Sequence, residues 1–481
     1  MYESVIGLEI HAQLLTQSKI FCGCSTRTGD PPNTHVCPVC LGLPGALPVL
    51  NRRAVELAAQ AAIALGCTIH PTSVFARKNY FYPELPKGYQ ISQYDRPLAT
   101  GGSLQIATGG LAREIGLIRV HLEEDAGKSL HEGFPDSDRF ARVDFNRSGV
   151  PLIEIVSRPE LHSAAEAAEF FSRLRSILVA IGASDGNMEE GSLRCDANVS
   201  VRPGGATAMG VKTEIKNLNS FRYVQRALEF ELERQTAVLE DGGRVIHETR
   251  LWDPAANRTH PMRSKEAADD YRYFPEPDLP PLRIEDAWIE RLRASLPELP
   301  DARRRRFVAS YGLPEYDAGV LTASPALASY FEATAAAAGN AKAASNWIMG
   351  ELLGLLNERG IGIERAPIAP SALADLIRLV DSGTISGPTA KAVFAAMYTS
   401  GRGARAIVDA EGLARVDDEA LIARTVAGVL AANERAVRQY HEGKRQTFGF
   451  LVGQVMTAMQ GRANTEIVNR LVRRALEEGP A

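Results

Sequence analysis

The sequence has no apolar run near the ~20 residues that a membrane-spanning helix requires. Its first residues carry no basic-then-apolar leader. Both absences predict a protein that stays in the cytoplasm, with no membrane partner. Positive charge is also short: 54 Lys and Arg against 58 Asp and Glu give a formal net charge of -4. That excludes a chain coated in basic residues, so any nucleic-acid contact must come from a local patch. Common nucleotide and hydrolase motifs are missing too, with no GxSxG, no HExxH and no GxGxxG opening a helix. Asp125-Ala-Gly127-Lys128-Ser129 ends like a phosphate-binding P-loop, but Leu122 occupies the place of the glycine that loop needs. Any use of nucleotide must therefore dispense with the common cradles.

Cysteine is scarce, with six in 481 residues. Four of them cluster as Cys22-x-Cys24 and Cys37-x-x-Cys40, while Cys67 and Cys195 stand alone. In a chain without a leader this pattern favours metal over disulfides. Two short knuckles across a loop suit the tetrahedron of thiolates that zinc prefers. Four thiolates leave no open position, so a structural role is expected. The alternative, reduced core thiols, fits poorly with the polar, turn-rich Thr26–Thr34 between the pairs. A zinc hydrolase would need an open coordination position at Cys22–Cys40.

What is present is the balance of a soluble globular protein, 45% hydrophobic and 23% charged. The length points to about three domains. From Tyr2 to about Leu292, β-rich runs alternate with turns: Ser4–His11, Gly116–Glu124, Ala141–Phe145, Leu152–Ser157, Leu193–Arg202 and Val211–Ile215. In Leu193–Val201 apolar and polar residues alternate strictly, which predicts a half-buried strand of an antiparallel sheet. Helical spacing marks Arg52–Leu65, Ala164–Ile181 and Ser220–Asp241. Prolines in Asp269–Pro281 predict an extended, ordered connection without regular structure. Beyond Trp288 the texture becomes helical: Ala302–Tyr311, Pro325–Ala338, Ala344–Arg359, Pro370–Asp381, Gly387–Thr399, Asp418–Ala432, Glu434–His441, Thr447–Gln460 and Asn464–Glu478. A second boundary is placed near Gly401-Arg-Gly403. The expected fold class is α+β, with an antiparallel-sheet-rich domain (1–292), a helical domain (293–402) and a small helical tail (403–481).

Glu9 and His11 share one face of the first strand. Carboxylates recur in the later strand-like runs, as Glu123, Glu124, Glu154, Glu189, Glu190 and Glu214. Taken singly, each is explained by pairing with Lys or Arg. Glu154 sits in the apolar run Pro151-Leu-Ile-Glu-Ile155, where a carboxylate needs a partner or a metal. A ring of Glu oxygens with one His would suit Mg²⁺ or Mn²⁺. The run Arg303–Arg306 wraps all round a helix and reads mostly as solvated face. From Arg435 to Arg474, eight basic residues stand against two acidic ones. That asymmetry fits either a phosphate-contacting module or a solvated helix surface.

Longer motifs carry a resemblance. These are IGLEIH at Ile6–His11, RKNYFYP at Arg77–Pro83, HLEEDAGKS at His121–Ser129 and Val143–Ile155. MEEGSLRCDAN at Met188–Asn198, EIKNLNSF at Glu214–Phe221 and DYRYFPEPDLPP at Asp270–Pro281 continue the series, and SNWIMGEL at Ser345–Leu352 and FGFLVGQVM at Phe448–Met456 extend it. Together they resemble the GatB family, the B subunits of the tRNA-dependent amidotransferases, over essentially the whole chain.

The resemblance implies a β-rich cradle, a helical domain and a YqeY-like tail that holds tRNA. It implies a heterotrimer with an amidase (the A subunit) plus a small third protein (the C subunit). It also brings in the non-discriminating aminoacyl-tRNA synthetase as a partner. Misacylated Glu-tRNA(Gln) or Asp-tRNA(Asn) would be phosphorylated with ATP and Mg²⁺, and ammonia would displace the phosphate. By residue, it implies a magnesium site at Glu9, His11, Glu123 and Glu154, with Glu124, Glu189 and Glu214 as further candidates. Lys78 would contact phosphate or line the ammonia path, and Asn146 and Arg147 would hold the acyl end of the tRNA. Cys22, Cys24, Cys37 and Cys40 would hold structural Zn²⁺. Lys444, Arg445, Arg462, Arg470, Arg473 and Arg474 would touch tRNA. A zinc-ribbon tRNA-binding scaffold without chemistry of its own is the alternative.

Overall fold

A computed structural model describes residues 2–264 and 271–478. The chain divides into two compact units, Met1–Pro300 and Asp301–Ala481.

Alternation organises the first unit. In strand β1 (Tyr2–Gln13), Ile6, Leu8, Ile10 and Ala12 are fully buried on one face. Val5, Gly7, Glu9, His11 and Gln13 take the other face. Strand β2 (Leu111–Glu124), β3 (Pro151–Ser157), β4 (Leu193–Pro203) and β5 (Thr213–Lys216) join it in the order β5-β4-β1-β3-β2. Glu248–Asp253 and Arg258–Ser264 extend the β5 side; Ala99–Thr100 and Thr68–Ile69 extend the β2 side. Ser103–Thr108 also pairs with β2. The sheet is antiparallel except that β5 and Glu248–Asp253 run parallel. A parallel pair needs a crossover, and the long helix between the two strands supplies it. Glu248–Asp253, Arg258–Ser264 and Ser103–Thr108 are not among the runs read from the sequence.

Helices α1 (Arg52–Ala64), α2 (Ala164–Ala180) and α3 (Phe221–Glu240) supply apolar side chains to the same core. Asn51, Ser163 and Ser220 begin them as N-caps, each accepting a backbone N–H of the first turn. Helix Asp286–Ser295 packs Leu292 against Ala59 and Ile63 of α1. One face of the sheet is thus covered, and the other carries the polar residues.

The proline-rich connection differs from expectation. Asp269 and Asp270 lie outside the described residues. Phe274 and Pro275 form a short strand against Ala76 and Arg77, rather than staying free of regular structure. Proline is tolerated because this is an edge strand. The motif Asp125–Lys128 turns directly into strand Lys128–Leu130, so no helix follows as a P-loop would require.

The second unit is helical. One core gathers around Phe307, Phe331, Ile348, Leu376 and Phe394, another around Val426, Leu451, Val455 and Leu471. Gly401 ends Gly387–Ser400 in the left-handed conformation at φ 68°. The next helix, Ala404–Ala410, returns Ile407 and Val408 to the first of these cores. The expected helix Ala344–Arg359 is interrupted: Ala341–Trp347 passes through a π-helical turn, Ile348–Leu352, before Leu353–Glu358. No described helix is long and apolar enough to cross a membrane.

Candidate functional site

Sheet register assembles the site. Across four neighbouring strands, Arg194 of β4 lies opposite His11 of β1, His11 opposite Glu154 of β3, and Glu154 opposite His121 of β2. Glu123 shares the face of His121, two residues along β2. The His11 Nε2 lies 3.5 Å from Glu123 Oε1 and 3.4 Å from Glu154 Oε2. His121 Nε2 lies 3.8 Å from Glu123 Oε2 and 3.6 Å from Glu154 Oε2. Arg119 closes the group, 3.2 Å from Glu154 Oε1. Donor atoms of His11, Glu123 and Glu154 lie within 4.8 Å of one another, an arrangement able to hold a metal ion.

Burial sets the electrostatics. It works against charge on His11, yet the Glu154 hydrogen bond and the charges of Glu123 and Glu154 outweigh it and hold the imidazole at about 9. Burial pushes Glu154 up, but His121, His11 and Arg119 hold it well below the usual carboxylate range. The two carboxylates thus demand compensating positive charge, which a divalent cation would also supply.

The group opens into a cavity of about 470 Å³ that Lys78, Tyr80, Asp125, Arg194 and Lys216 also line. Arg194 donates to Asp125 at 3.0 Å, but its buried Nε has no partner among the described residues. An anionic guest in the cavity would supply one. Lys78 lies 4.8 Å above the Tyr271 ring. Tyr273 stands near Glu154 and Glu123, and burial followed by those charges raises its phenol. Tyr271 and Tyr273 therefore form an aromatic wall beside the carboxylates.

The other expected metal candidates are distributed differently. Glu9 lies one step along β1 and accepts from Asn198 at 3.1 Å. Burial, then Glu154, Glu214 and Asp196, raise its carboxyl. Glu214 accepts from Thr249 at 2.8 Å and lies 3.3 Å from Lys216. Glu124 points to the opposite face, into a buried pair with Lys87 and a 2.8 Å bond from the Ile91 amide. Glu189 is exposed, on the turn before β4. Neither Glu124 nor Glu189 joins the His11 group, because strand alternation and the turn aim them elsewhere. His121 and Arg194 do join it, although neither is among the residues expected there. Both sit in the motifs HLEEDAGKS and MEEGSLRCDAN, and polar residues alternating in register with His11 and Glu154 are the signal that could have found them.

Asn146 and Arg147 have internal partners. The Asn146 amide accepts from the His35 backbone and donates to the Pro31 carbonyl, both at 2.8 Å. Arg147 donates to the Ala126 and Gly127 carbonyls at 3.0 and 2.7 Å. Both residues fix loops through these bonds.

The four clustered thiols also come together, with ligand atoms within 4.8 Å of one another. The Cys22 thiol and the Cys37 N–H both bond Cys40, which falls to about 4, while sharing that proton pushes Cys22 up. A thiolate at the centre of a thiol group is ready for a soft cation. The buried Lys19 amine donates to the carbonyls of His35 and Phe145 at 2.7 and 3.1 Å, pinning the knuckle to the approach to β3.

In the tail, Arg470, Arg473 and Arg474 line one groove with Glu466 and Glu477. Lys444 and Arg445 are exposed at a turn. Arg462 bends inward, donating to the Gly412 carbonyl at 2.7 Å.

The sheet thus has one covered face, with a carboxylate–histidine group on the other and a four-thiol knuckle beside it. Residues 4–290 match the GatB/GatE catalytic domain, and residues 329–476 match the GatB domain. The B subunit of an aspartyl/glutamyl-tRNA(Asn/Gln) amidotransferase from Moorella thermoacetica is 57% identical over 475 residues, 99% of this chain and 100% of its own. Its counterparts from Thermodesulfovibrio yellowstonii and Geobacter sulfurreducens are each 53% identical, over 477 and 476 residues. They cover 99% of this chain and 100% and 99% of their own lengths. The chain belongs to the GatB family, the B subunits of these amidotransferases.

Proposed function

We propose that this chain binds misacylated tRNA, phosphorylates the side-chain carboxylate of its amino acid with ATP, and lets ammonia displace the phosphate. The products are Gln-tRNA(Gln), Asn-tRNA(Asn) or both. An amidase partner supplies the ammonia from glutamine, and a small third protein joins the complex. The names of the relatives support the substrate class. The observation that carries the chemistry is the convergence of His11, Glu123 and Glu154 beside a polar cavity that His11 and Glu123 line.

The reaction explains why these residue types are needed. A carboxylate is a poor acyl donor. Its oxygen attacks the terminal phosphorus of ATP, ADP leaves, and the mixed anhydride then has a leaving group for ammonia. His11, Glu123 and Glu154 would hold Mg²⁺, which neutralises charge on the transferring phosphoryl group when bound. Arg194 and Lys78 bind phosphate oxygens from the cavity wall. His121 and Arg119 orient Glu154, and the tyrosine wall restricts water, which would hydrolyse the anhydride. The four cysteines hold a structural zinc that stiffens the rim beside β1.

Glu154→Gln tests this reading in the reconstituted complex. Amidation and tRNA-dependent ADP release should fall on the order of 100-fold or more, with tRNA binding retained. Unchanged amidation would sink the assignment. Loss of tRNA binding alone would favour a zinc-ribbon scaffold instead.

A further inference from the structure

Asp125 follows the last residue of β2, and its side chain is 2% exposed on the wall of the site cavity. Two positions from Glu123, it keeps the site face, while Glu124 between them turns to Lys87. Its backbone is fixed from both sides. The Asp125 N–H donates to the Val150 carbonyl, and the Asp125 carbonyl accepts the Gly149 N–H, both at 2.8 Å. Gly149 stands at φ 83°, in the left-handed region that favours glycine. The fold itself therefore places the carboxylate.

Donors from β1, β4 and the loop before β3 converge on it. Gln13 donates to Oδ2 at 2.8 Å, and Arg194 donates to Oδ1 at 3.0 Å. Arg147 Nε lies 3.7 Å from Oδ2, and the Ala126 N–H reaches Oδ1 at 3.0 Å. The Arg194 guanidinium has a second carboxylate within reach of its charge. Asp125 acts on it most strongly, burial opposes this, and Glu123 is the next carboxylate to act. Glu123 belongs to the donor set with His11 and Glu154. Arg194 stands opposite His11 in the ladder, so its side chain is already beside that set. A released guanidinium would pair with those carboxylates and compete with a divalent cation for them.

We infer that Asp125 is a positioning residue, which holds Arg194 at the cavity wall and off the carboxylates of the cation site. The inference rests on the phosphoryl-transfer reading above and adds how the cation site and the phosphate contact are kept apart. Asp125 takes one edge of the guanidinium and leaves the unpartnered Nε for a phosphate oxygen. Charge is needed at this position, because a neutral acceptor would leave Glu123 as the stronger partner. Asp125 acts through Arg194 and not on the reacting atoms.

Asp125→Asn keeps the size and an oxygen acceptor and removes the charge. Two measurements test the inference: Mn²⁺ binding to the full chain, read by electron paramagnetic resonance, and tRNA-dependent ADP release by the reconstituted complex. Asp125→Asn should weaken Mn²⁺ binding and lower kcat, each about tenfold or more, with the KM for tRNA unchanged. Adding Arg194→Gln should return Mn²⁺ affinity to that of Arg194→Gln alone, because the competing cation is gone. ADP release should fall no further in the double variant than in Arg194→Gln. A purely structural Asp125 would instead give a double variant with both losses. Gln13→Ala removes a donor that fixes the carboxylate, and keeps the inference testable where Asp125→Asn fails to fold. It should weaken Mn²⁺ binding about threefold, again only while Arg194 is present. Weak Mn²⁺ binding that persists without Arg194, or wild-type affinity in the folded single variants, overturns the positioning role and leaves the phosphoryl-transfer reading intact. Failure of the wild-type chain to bind Mn²⁺, or full activity in Arg194→Gln, counts against that reading itself, and the role of Asp125 falls with it.

Discussion

His11 and Glu154 stand directly opposite each other across the β1–β3 ladder, with Nε2 and Oε2 3.4 Å apart. The pair is set by backbone register, so a one-residue slip would send both side chains into the core. His121 extends the row on the far side of Glu154, 2% exposed and receiving a 3.3 Å contact from Arg119 at its Nδ1. It can orient both carboxylates without being a member of the three-residue donor set. His121→Asn should therefore weaken magnesium dependence rather than abolish the reaction. The apparent affinity for Mg²⁺ should fall roughly 10- to 100-fold, and saturating Mg²⁺ should restore much of the rate. Titrating Mg²⁺ at fixed ATP and tRNA separates this from loss of a direct ligand, where saturation would not rescue.

The cysteines make a prediction about reactivity. Burial pushes Cys67 up to about 12 and raises Cys195 well above the ordinary thiol range. Both are also shielded in the core. With metal bound, native protein should resist iodoacetamide at all six cysteines. Stripping the metal should expose Cys22, Cys24, Cys37 and Cys40, leaving Cys67 and Cys195 unmodified until denaturant is added. Mass spectrometry of the alkylated peptides reads this directly. Early modification of Cys195 would contradict the described core.

Much of this site was legible in the sequence, and the rest was not for identifiable reasons. Strict alternation exposed β4 and its polar face, and the clustered cysteines exposed the knuckle. The membership of the carboxylate group was only partly legible. Glu123 and Glu124 are neighbours in the chain, yet strand pleating sends one to His11 and the other to Lys87. Pairing between β2, β3 and β1 decides which of them matters, and pairing is a property of register. Glu248–Asp253 was missed because its parallel partner lies across α3. Ile118 of β2 is exposed because of a bulge in the ladder, which no local periodicity announces.

Arg77 and Glu276 predict how the aromatic wall is anchored. The guanidinium donates twice to the carboxylate, at 2.7 and 2.8 Å, and stacks 4.2 Å from the Tyr89 ring. Glu276 is fully buried as a side chain, so removing it leaves the Arg77 cation with only the more exposed Asp278, 3.2 Å away. Glu276→Ala should cost about 3 kcal/mol of stability. It should also loosen Tyr271–Pro275 from the Ala76–Asn79 edge and raise the KM for tRNA-bound substrate. Equilibrium unfolding together with steady-state kinetics measures both. A stable variant with wild-type KM would show that this ion pair does not hold the wall.

The tail arginines separate surface contact from internal support. Arg473 lies 5.6 Å from the Phe448 ring and shares a groove with Arg474 on the outer face of Thr465–Glu478. Arg470 is tied by an ion pair to Glu419, and Arg462 to the Gly412 carbonyl. If the groove touches tRNA phosphates, Arg473→Ala and Arg474→Ala should each reduce the salt slope of tRNA binding by about 0.7–0.9. Arg470→Ala should do less, because Glu419 pairs it more closely than Glu478, 3.8 Å away, pairs Arg474. Arg462→Ala should leave the slope alone and lower the stability of the tail by roughly 1–2 kcal/mol. Binding isotherms across a salt series distinguish the two classes. An equal slope change for Arg462 and Arg473 would mean that the groove is not where the tail meets nucleic acid.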